Sequence, residues 1–371
     1  MNFLEVISVK ELENCREKIN EIDTQIAKLF CERMEESKKV ALYKKEHGLK
    51  ITDEEREQFL IDRNSSLIED DKMRSYYVSF LKNMMDVSKQ YQYRLIKGMR
   101  VAVSGVKGAF AHSAAKSIFP QGNFIFYNDF ITAYKSVENG ECDCCVLPIE
   151  NNYAGEVLEV TDLIFSGSLY INGIYEKEIC HNLLGLPNSN IDDIKTVISH
   201  PQALSQCEGY IRNHKFKQIK ETNTAIAAQK VSLNNDKSVG AIASSDTAEL
   251  YGLKILERRI NEASGNTTRF AVFSRIENKS ESSDSTFIML FTVQNEAGAL
   301  ARAINIIGKY GFNMRVLRSR PIKDSSWQYY FYVEAEGNAY DKNAENMIKE
   351  LSTQCDKVKI AGSFLKEYEL D

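Results

Sequence analysis

The chain has 371 residues, with 47 Lys and Arg against 52 Asp and Glu, which gives a formal net charge of −5. This weakly acidic balance excludes a protein whose main partner is nucleic acid, because phosphate binding requires a basic surface. Only 5 Pro and 19 Gly are present, which excludes collagen-like and Pro-rich architectures. At about 150 residues per domain, the length predicts two or three domains.

The sequence also predicts where the protein is located. No segment approaches the roughly 18 apolar residues of a membrane helix, and the N-terminus lacks the layout of a signal peptide. We therefore expect a cytoplasmic protein without a membrane partner, whose eight Cys are thiols. The one Cys cluster, at 142–145, leads into the apolar Val146 and has no second ligand pair at metal-binding spacing. The sequence thus predicts a buried strand there, no metal and no cofactor.

The first domain, residues 1–96, is predicted to be all helical. Apolar side chains recur three and four positions apart from Leu12 to Leu29, which is the seam of a coiled coil. We expect helices over 10–47, from a Thr52–Glu55 capping box onward, and over 72–95. Three helices cannot bury a seam on a helix about 50 Å long, so the pattern predicts an intertwined homodimer or a larger homo-oligomer.

Strands and helices alternate from residue 100 to residue 276, which predicts an α/β domain. Gly105 and Gly108 follow its first strand, but the full dinucleotide-binding fingerprint is absent. A polar, Ser-rich stretch over 276–285 is predicted to be a linker. Residues 286–371 then follow a βαββαβ order, which indicates a ferredoxin-like α+β domain.

Polar residues occupy stripes of the helical domain that should be apolar. Arg33 and Lys44 share one stripe of the first helix, because eleven residues make about three turns. Ser88 and Gln92 lie four positions apart on the third helix, and Arg16 lies far from Lys44 along the first. By residue counting alone, surface salt bridges are the more common explanation for such charges.

The combined pattern of these positions resembles the all-helical chorismate mutase family. It includes Arg16, Asp23, the Glu-Arg pair at 32–33, Lys44, Asp-x-x-Arg-Glu at 53–57 and Ser-x-x-x-Gln at 88–92. The resemblance implies that the following residues bind substrate: Arg16 from the partner chain, Arg33, Asp53, Arg56 and Ser88. It implies that the following act in catalysis: Lys44, Glu57 and Gln92.

The chemistry of that family suits these residue types. Chorismate rearranges to prephenate in one pericyclic step, so the enzyme must hold a dicarboxylate and stabilise charge on the ether oxygen. Guanidinium groups would bind the carboxylates, and Lys44 and Gln92 would donate to the ether oxygen. Glu57 would accept from the ring hydroxyl, and Asp53 is expected to hold Lys44.

Polar motifs end or begin several elements of the α/β domain: PIEN at 148–151, SHPQ at 199–202, NTA at 223–225 and NTTRF at 266–270. Each alone is weak, although strand ends are where α/β folds place their sites. Together they resemble the prephenate dehydratase family, which implies two lobes like those of periplasmic binding proteins, with substrate between them. The domain order is that of the bifunctional enzymes which join a mutase, a dehydratase and a regulatory domain.

Dehydration of prephenate releases CO2 and hydroxide, and the hydroxide needs a proton donor. The resemblance implies that Thr268 is catalytic, and because a Thr hydroxyl is a poor acid, Glu150 and His200 stay open as proton sources. It also implies that the following bind substrate: Asn151, Gln202, Thr224 and Arg269. The family has Ser or Thr where this chain has Ala111 and Asn152, so a hydroxyl is lost at each position.

The C-terminal domain, with Gly-Ala-Leu at the start of a helix, resembles the ACT domain, a module that binds amino acids at dimer interfaces. In dehydratases, Phe binds between that turn and a Glu-Ser-Arg-Pro segment, which here reads Arg-Ser-Arg-Pro at 318–321. The implied Phe site comprises Gly298, Ala299, Leu300, Ser319, Arg320 and Pro321. We expect Phe inhibition to survive the charge reversal at Arg318, and Arg318→Glu to tighten binding if that side chain faces the ligand. A dimerisation module without a ligand is the alternative.

These observations predict a cytoplasmic enzyme that converts chorismate to prephenate and then to phenylpyruvate, with Phe as effector. Three alternatives stay open at this point. In the first, the chain is a monofunctional mutase whose α/β part is a catalytically weakened regulator. In the second, the whole chain is a two-lobed ligand-binding protein. In the third, the dehydratase acts on arogenate.

Overall fold

The computed structural model describes residues 9–262, 265–279, 285–322, 329–365 and 368–370. It divides into two compact units, Met1–Gly98 and Met99–Asp371. Residues 280–284 of the predicted linker lie outside the described residues. No helix in the described ranges is both long and apolar enough to cross a bilayer.

The first unit is helical, as predicted, with α1 at Val9–Glu46, α2 at Glu54–Ser65 and α3 at Asp71–Lys97. Its small core contains Ala41 of α1 and Leu81 and Met85 of α3. The apolar seam of α1 is exposed in the single chain, with Ile19 at 55% and Leu29 at 63%.

The predicted capping box at the start of α2 is wrong. Asp53, and not Thr52, is the N-cap residue, and its Oδ1 accepts the Arg56 backbone N–H at 3.0 Å. Asp is at least as good an N-cap as Thr, because its side-chain oxygen reaches the same free N–H groups. The helix therefore begins one residue later than the box predicted.

The second unit contains the remaining elements. Its helices are α4 Phe110–Ile118, α5 Phe130–Glu138, α6 Leu158–Ser166, α7 Pro201–Gln206, α8 Glu208–Asn213, α9 Thr224–Asn234, α10 Ser245–Tyr251, α11 Ala299–Lys309 and α12 Lys342–Leu351. Its strands are β1 Arg100–Ser104, β2 Asn123–Tyr127, β3 Cys144–Asn151, β4 Gly155–Glu156, β5 Tyr170–Glu178, β6 Asn182–Gly185, β7 Thr196–Ser199, β8 Lys217–Lys220, β9 Val239–Ala243, β10 Lys254–Glu257, β11 Thr267–Ser274, β12 Ser285–Val293, β13 Asn313–Pro321, β14 Tyr329–Glu336, β15 Cys355–Leu365 and β16 Tyr368–Leu370.

The strands form three sheets. The first has the order β16-β5-β11-β3-β1-β2, with β4 beside β3, and the second has the order β10-β6-β9-β7-β8. The chain passes from the first sheet to the second after β5 and returns through β11, which lies antiparallel between β3 and β5. The described residues of the two crossing segments, 179–182 on one side and 258–262 with 265–266 on the other, therefore lie where the two sheets meet.

The third sheet has the order β13-β14-β12-β15 and follows the predicted βαββαβ order. One face packs Phe287 and Met289 of β12 in a core with residues of α11 and α12. On the other face, Ile288 and Tyr332 belong to the core of the first sheet. Because β12 is covered on both faces, its sequence is a continuous apolar run. One face of the third sheet thus packs against the core of the first sheet.

The Cys cluster forms part of that core. Cys142, Cys144 and Cys145 are buried thiols, and burial raises the pKa of the Cys145 thiol well above its ordinary value. The strand there begins at Cys144, two residues after its predicted start.

Candidate active sites

Three predicted mutase residues come together between α1 and α3. Arg33 Nη1 donates to Ser88 Oγ, and Gln92 Nε2 donates to Ser37 Oγ at 2.9 Å. Ser88 and Gln92 are buried, and burial lowers the pKa of the Arg33 guanidinium. Gln92 Oε1 is buried and has no hydrogen-bond partner among the described residues. A buried, polar and incompletely satisfied cluster on a helix stripe is typical of a binding site.

Lys44, Asp53 and Glu57 each make a different contact. Lys44 Nζ donates to the Ile51 carbonyl at 2.6 Å, and Glu57 Oε2 pairs with Lys89 Nζ at 2.9 Å. The expectation that Asp53 holds Lys44 is not met, because the Asp53 carboxylate caps α2 instead. Lys89 is a cation beside the site that the sequence pattern did not single out.

Arg16 and Arg56 are exposed in the single chain. Arg16 lies 28 positions before Lys44 on α1, which is about 42 Å at 1.5 Å per residue. One chain therefore does not bring Arg16 to Lys44. The Arg56 guanidinium lies 5.3 Å from the centre of the Phe59 ring.

In the second unit, a cleft of about 360 Å³ lies between the first and second sheets. The polar residues that line it are Asn128, Asn151, His181, His200, Gln202, Gln206, Thr222, Asn223, Thr224 and Thr268, together with Ser104. Five of the predicted dehydratase residues thus share one cavity: Asn151, His200, Gln202, Thr224 and Thr268.

The Asn151 amide leaves the Thr268 hydroxyl free to act as a hydrogen-bond donor. Asn151 Oδ1 accepts the backbone N–H groups of Tyr153 at 3.0 Å and Ala154 at 2.8 Å. Its Nδ2 therefore donates, and one acceptor is Thr268 Oγ1 at 2.9 Å. Since Oγ1 accepts this bond, its own O–H remains available to donate into the cleft.

The donor and acceptor assignment extends along the hydrogen bonds from Asn151 to His181, a residue that the sequence analysis did not identify. Asn151 Nδ2 also donates to Asn266 Oδ1 at 2.8 Å, so Asn266 Nδ2 must donate, and it does so to Gln206 Oε1 at 3.0 Å. The same Gln206 oxygen lies 2.8 Å from His181 Nε2, so Nε2 carries the ring proton. His181 is 2% exposed, and burial lowers its pKa, so the ring is neutral at pH 7. Nδ1 is therefore an acceptor, and it has no partner within the described ranges.

His200 presents a donor to the cleft. It is the N-cap residue of α7, and its Nδ1 accepts the Gln202 backbone N–H at 3.2 Å. Burial lowers the pKa of His200 below its ordinary value, so the ring is neutral at pH 7 and its proton sits on Nε2. Gln202 itself is exposed, and Thr224 begins α9 behind its N-cap Asn223.

Glu150 and Arg269 do not line the cleft, although both were predicted for the dehydratase site. Successive side chains of a strand point to opposite faces, so neighbours of Asn151 and Thr268 point away from it. Arg269 Nη1 lies 3.2 Å from Glu150 Oε2, and Arg318 Nη2 lies 2.5 Å from Glu150 Oε1. Burial by itself would raise the pKa of Glu150, but the two guanidiniums hold it below its ordinary value. Glu150 is thus ionised at neutral pH and is not placed to protonate a ligand in the cleft.

The two residues that replace the Ser or Thr of the prephenate dehydratase family, Ala111 and Asn152, lie in different places. Ala111, near the start of α4, lines the cleft, so the missing hydroxyl there leaves an apolar wall. Asn152 is exposed, and its amide bonds the Thr267 N–H at 2.9 Å and the Gly265 carbonyl at 2.6 Å. Asn152 therefore anchors the start of β11.

The predicted Phe-site residues lie in the third-sheet region. Gly298 is the exposed N-cap of α11 with φ +81°, a left-handed conformation that favours glycine. Ala299 is buried behind it and Leu300 is half-buried. On β13, Ser319 and Pro321 are exposed, whereas Arg320 Nη2 lies 2.9 Å from Asp162 of α6. The condition that Arg318 faces the ligand is not met, because its guanidinium contacts Glu150.

Comparison with known protein families identifies both parts of the chain. Residues 15–93 match the family model of chorismate mutase type II, and residues 101–278 match that of prephenate dehydratase. The bifunctional chorismate mutase/prephenate dehydratase of Enterobacter agglomerans is 31% identical over 95% of both chains. The enzyme of the same name from Aquifex aeolicus is 31% identical over 96% of this chain and 99% of its own length.

Two solved structures share the fold of the second unit. GqqA, described as a novel type of quorum-quenching acylase, is 29% identical with a TM-score of 0.67 and covers 72% of this chain and 97% of its own. Prephenate dehydratase from Arthrobacter aurescens in complex with L-Phe is 24% identical, also with a TM-score of 0.67, over 72% of this chain and 90% of its own.

Fold and matches together define an enzyme with a mutase-type helical part and a dehydratase-type α/β part. The chain belongs to the family of bifunctional chorismate mutase/prephenate dehydratases.

Proposed function

We propose that this chain rearranges chorismate to prephenate in its helical unit and converts prephenate to phenylpyruvate in the cleft between the first and second sheets. The observation that carries the second half is the Thr268 hydroxyl in the cleft lining, whose oxygen accepts from Asn151 and whose O–H is therefore free to donate. We propose the same three domains as the sequence predicts, at 1–96, 100–276 and 286–371. A cytoplasmic location is part of the proposal, supported by the thiol state of the eight cysteines.

The mutase site combines residues from two chains. Lys44 and Gln92 supply N–H donors to the ether oxygen, where negative charge develops as the C–O bond breaks. Arg33 and Ser88 bind a carboxylate, together with Arg16 of the partner subunit. The exposed seam of α1 supports this arrangement, because a second copy of the helix would cover it and bring Arg16 to the far end.

The remaining mutase residues orient the substrate from α2. Arg56 binds carboxylate, and Glu57 accepts the ring hydroxyl. Asp53 acts indirectly, since its cap fixes the first turn of α2 on which both residues lie.

In the dehydratase step, the ring carboxylate leaves as CO2, its electron pair aromatises the ring, and the ring hydroxyl leaves. The leaving hydroxide takes one proton and becomes water, so the reaction balances as prephenate to phenylpyruvate, CO2 and water. Thr268 donates to the leaving oxygen, and neutral His200 supplies a second N–H donor through Nε2. Gln202 and Thr224 bind the side-chain carboxylate.

Acyl transfer, the activity described for GqqA, does not fit this site. A nucleophilic Thr needs a base that accepts its proton. The Asn151 amide donates to Thr268 Oγ1 instead, which makes the oxygen less nucleophilic.

We propose that the third-sheet region is an ACT domain that binds Phe as feedback inhibitor. The βαββαβ order and the left-handed Gly298 turn support this, because the turn presents the first N–H groups of α11 to a carboxylate. Ser319 and Pro321 complete the site on the exposed side of β13, while Ala299 and Leu300 anchor the turn. Arg320 holds β13 in place through its ion pair with Asp162 and does not itself contact the ligand.

The proposal is tested by incubating the purified chain with chorismate, with prephenate and with arogenate, each with and without Phe. The expected result is prephenate and then phenylpyruvate from chorismate, phenylpyruvate from added prephenate, and inhibition by Phe. Turnover of chorismate without any phenylpyruvate would mean a monofunctional mutase. Preference for arogenate would keep the site and change its substrate.

A further inference from the structure

A partly buried ion cluster lies behind the dehydratase cleft, on the opposite face of β3 and β11. We name it the clamp: Glu150 of β3, Arg269 of β11, Arg318 of β13 and Glu334 of β14. Arg269 Nη1 and Nη2 contact the two Glu334 oxygens at 3.0 and 2.9 Å, a bidentate pair. Glu150 bridges Arg269 and Arg318. Two members thus come from the catalytic strands and two from the third sheet.

The clamp is built from groups that are costly to bury. The Glu334 side chain is only 2% exposed, and it accepts a further bond from Tyr332 Oη at 2.6 Å. Two carboxylates face two guanidiniums, so the cluster is neutral as a whole. Removing one member leaves a buried charge without its counter-ion. Such a cluster stays in place only when its geometry is well fixed.

The clamp lies at an irregularity of the strand pair that carries the active site. Thr268 is opposite Asn151 and Arg269 is opposite Glu150, but Phe270 is opposite Pro148, so β3 has one extra residue there. A β-bulge redirects the side chains beside it. Arg269 and Glu150 are the pair that borders this bulge, and Thr268 and Asn151 are the next pair along the two strands.

We propose that the clamp is a positioning device for the dehydratase step, in which Glu334 and Arg318 hold the bulge through Arg269 and Glu150. This keeps the Thr268 hydroxyl and the Asn151 amide in register on the far side of the strands. Glu334 and Arg318 are therefore positioning residues for a reaction that they do not touch. This inference rests on the proposed dehydratase function of the cleft.

The decisive variant is Glu334→Gln, which keeps the shape and removes the charge. Arg269 then shifts toward Glu150 and moves β11, so we expect the dehydratase kcat to fall at least tenfold while KM stays within about threefold, since the cleft keeps its binding groups. Glu334→Asp keeps the charge, so its kcat should be much closer to that of the wild type than the kcat of Glu334→Gln. The second variant, Arg318→Met, removes a half-exposed member and should lower kcat about threefold or more.

The matched control is Asp162→Asn. Asp162 pairs with Arg320 of β13 and accepts from Tyr330 Oη of β14 at the same junction of first and third sheets, and neither of these two residues belongs to the clamp. It should lower the melting temperature without lowering the dehydratase kcat more than about twofold. All assays omit Phe, and chorismate turnover by the same chain reports on the helical unit.

The outcomes separate the two hypotheses. Wild-type kcat in both Glu334→Gln and Arg318→Met, or an equal loss in Asp162→Asn, would overturn the clamp. If the wild-type chain does not convert prephenate, the proposed function itself has failed.

Discussion

At the scale of single residues, a row of side-chain amides determines the chemistry of the dehydratase cleft. The row starts from two backbone N–H groups, which fix the Asn151 amide, and each later amide takes the only orientation left to it. Its ends are Thr268 as donor and His181 Nδ1 as acceptor. The donor and the acceptor are thus set by geometry before any ligand binds.

Thr268→Ala should lower the dehydratase kcat by about 100-fold, the usual loss for removing one donor to developing charge. Thr268→Ser should retain most activity, because it keeps the hydroxyl to which Asn151 donates. Prephenate decay, monitored as phenylpyruvate formation, measures both. Full activity in Thr268→Ala together with an inactive His200→Ala would assign the proton to His200.

His181 predicts a pH dependence of stability. Burial lowers its folded-state pKa below the ordinary value of 6.5, so between the two values the unfolded chain binds more protons. The stability is therefore complete above pH 6.5 and is lost as pH falls through the folded-state pKa. Melting temperatures at pH 7.5 and 5.5 should differ less in His181→Gln than in the wild type. An equal difference in both proteins would show that His181 is already solvated.

At the scale of elements, the apolar seam of α1 is the feature of the helical unit that one chain leaves unexplained. Ile22, for example, is 54% exposed although it lies in the middle of the coiled-coil pattern. A two-chain helix pair would bury this stripe and give Arg16 a position at the Lys44 end of the partner.

Subunit mixing tests this arrangement. Arg16→Ala and Lys44→Ala homodimers should each lack mutase activity, because each site then misses one residue. After subunit exchange, about a quarter of wild-type activity should return, since half of the dimers are mixed and each mixed dimer has one intact site. Lys45→Ala, next to Lys44 and exposed, serves as the active control. No recovery after demonstrated exchange would place Arg16 and Lys44 in separate sites.

Elements differ in how far their sequence predicts them. The strand β12 is recognisable because both of its faces are buried, whereas every residue of β8 is exposed and its Lys-rich sequence has no apolar pattern. The partner of β16 is β5, almost 200 positions earlier, and no local signal shows such a pairing.

In the dehydratase site, too, some residues can be predicted from the sequence and others cannot. The motifs drew attention to Asn151, His200 and Thr268, and the structure places all three in the lining of one cavity. Period-two alternation alone would have shown that Arg269 cannot face the cleft together with Thr268. His181 could be noticed only as a polar residue at the head of an apolar strand, because its partner Gln206 is brought near by the fold.

At the scale of the whole molecule, the proposed Phe site and the strands of the dehydratase cleft both lie against the third sheet. Its exposed side carries the proposed Phe site, and its other face carries Arg318 and Glu334 against the catalytic strands. If Phe binds at the proposed site, the third sheet connects it directly to the dehydratase strands.

Because Arg318 contacts Glu150, Arg318→Met should leave the Phe affinity within about twofold of wild type. Gly298→Ala should weaken it, since φ +81° costs a side chain roughly 1 kcal/mol and the turn presents the binding N–H groups. Calorimetry with Phe measures all three proteins. A large change in Arg318→Met would show that the side chain reaches the ligand, and no heat in the wild type would leave dimerisation as the role of this domain.

The central claim is that one chain carries two independent sites for consecutive reactions. The most direct test feeds chorismate to Lys44→Ala, to Thr268→Ala and to their mixture. We predict that Lys44→Ala leaves chorismate unchanged but converts added prephenate, that Thr268→Ala accumulates prephenate, and that the mixture forms phenylpyruvate. Loss of both activities in either single variant, or no phenylpyruvate from the mixture, would contradict the account.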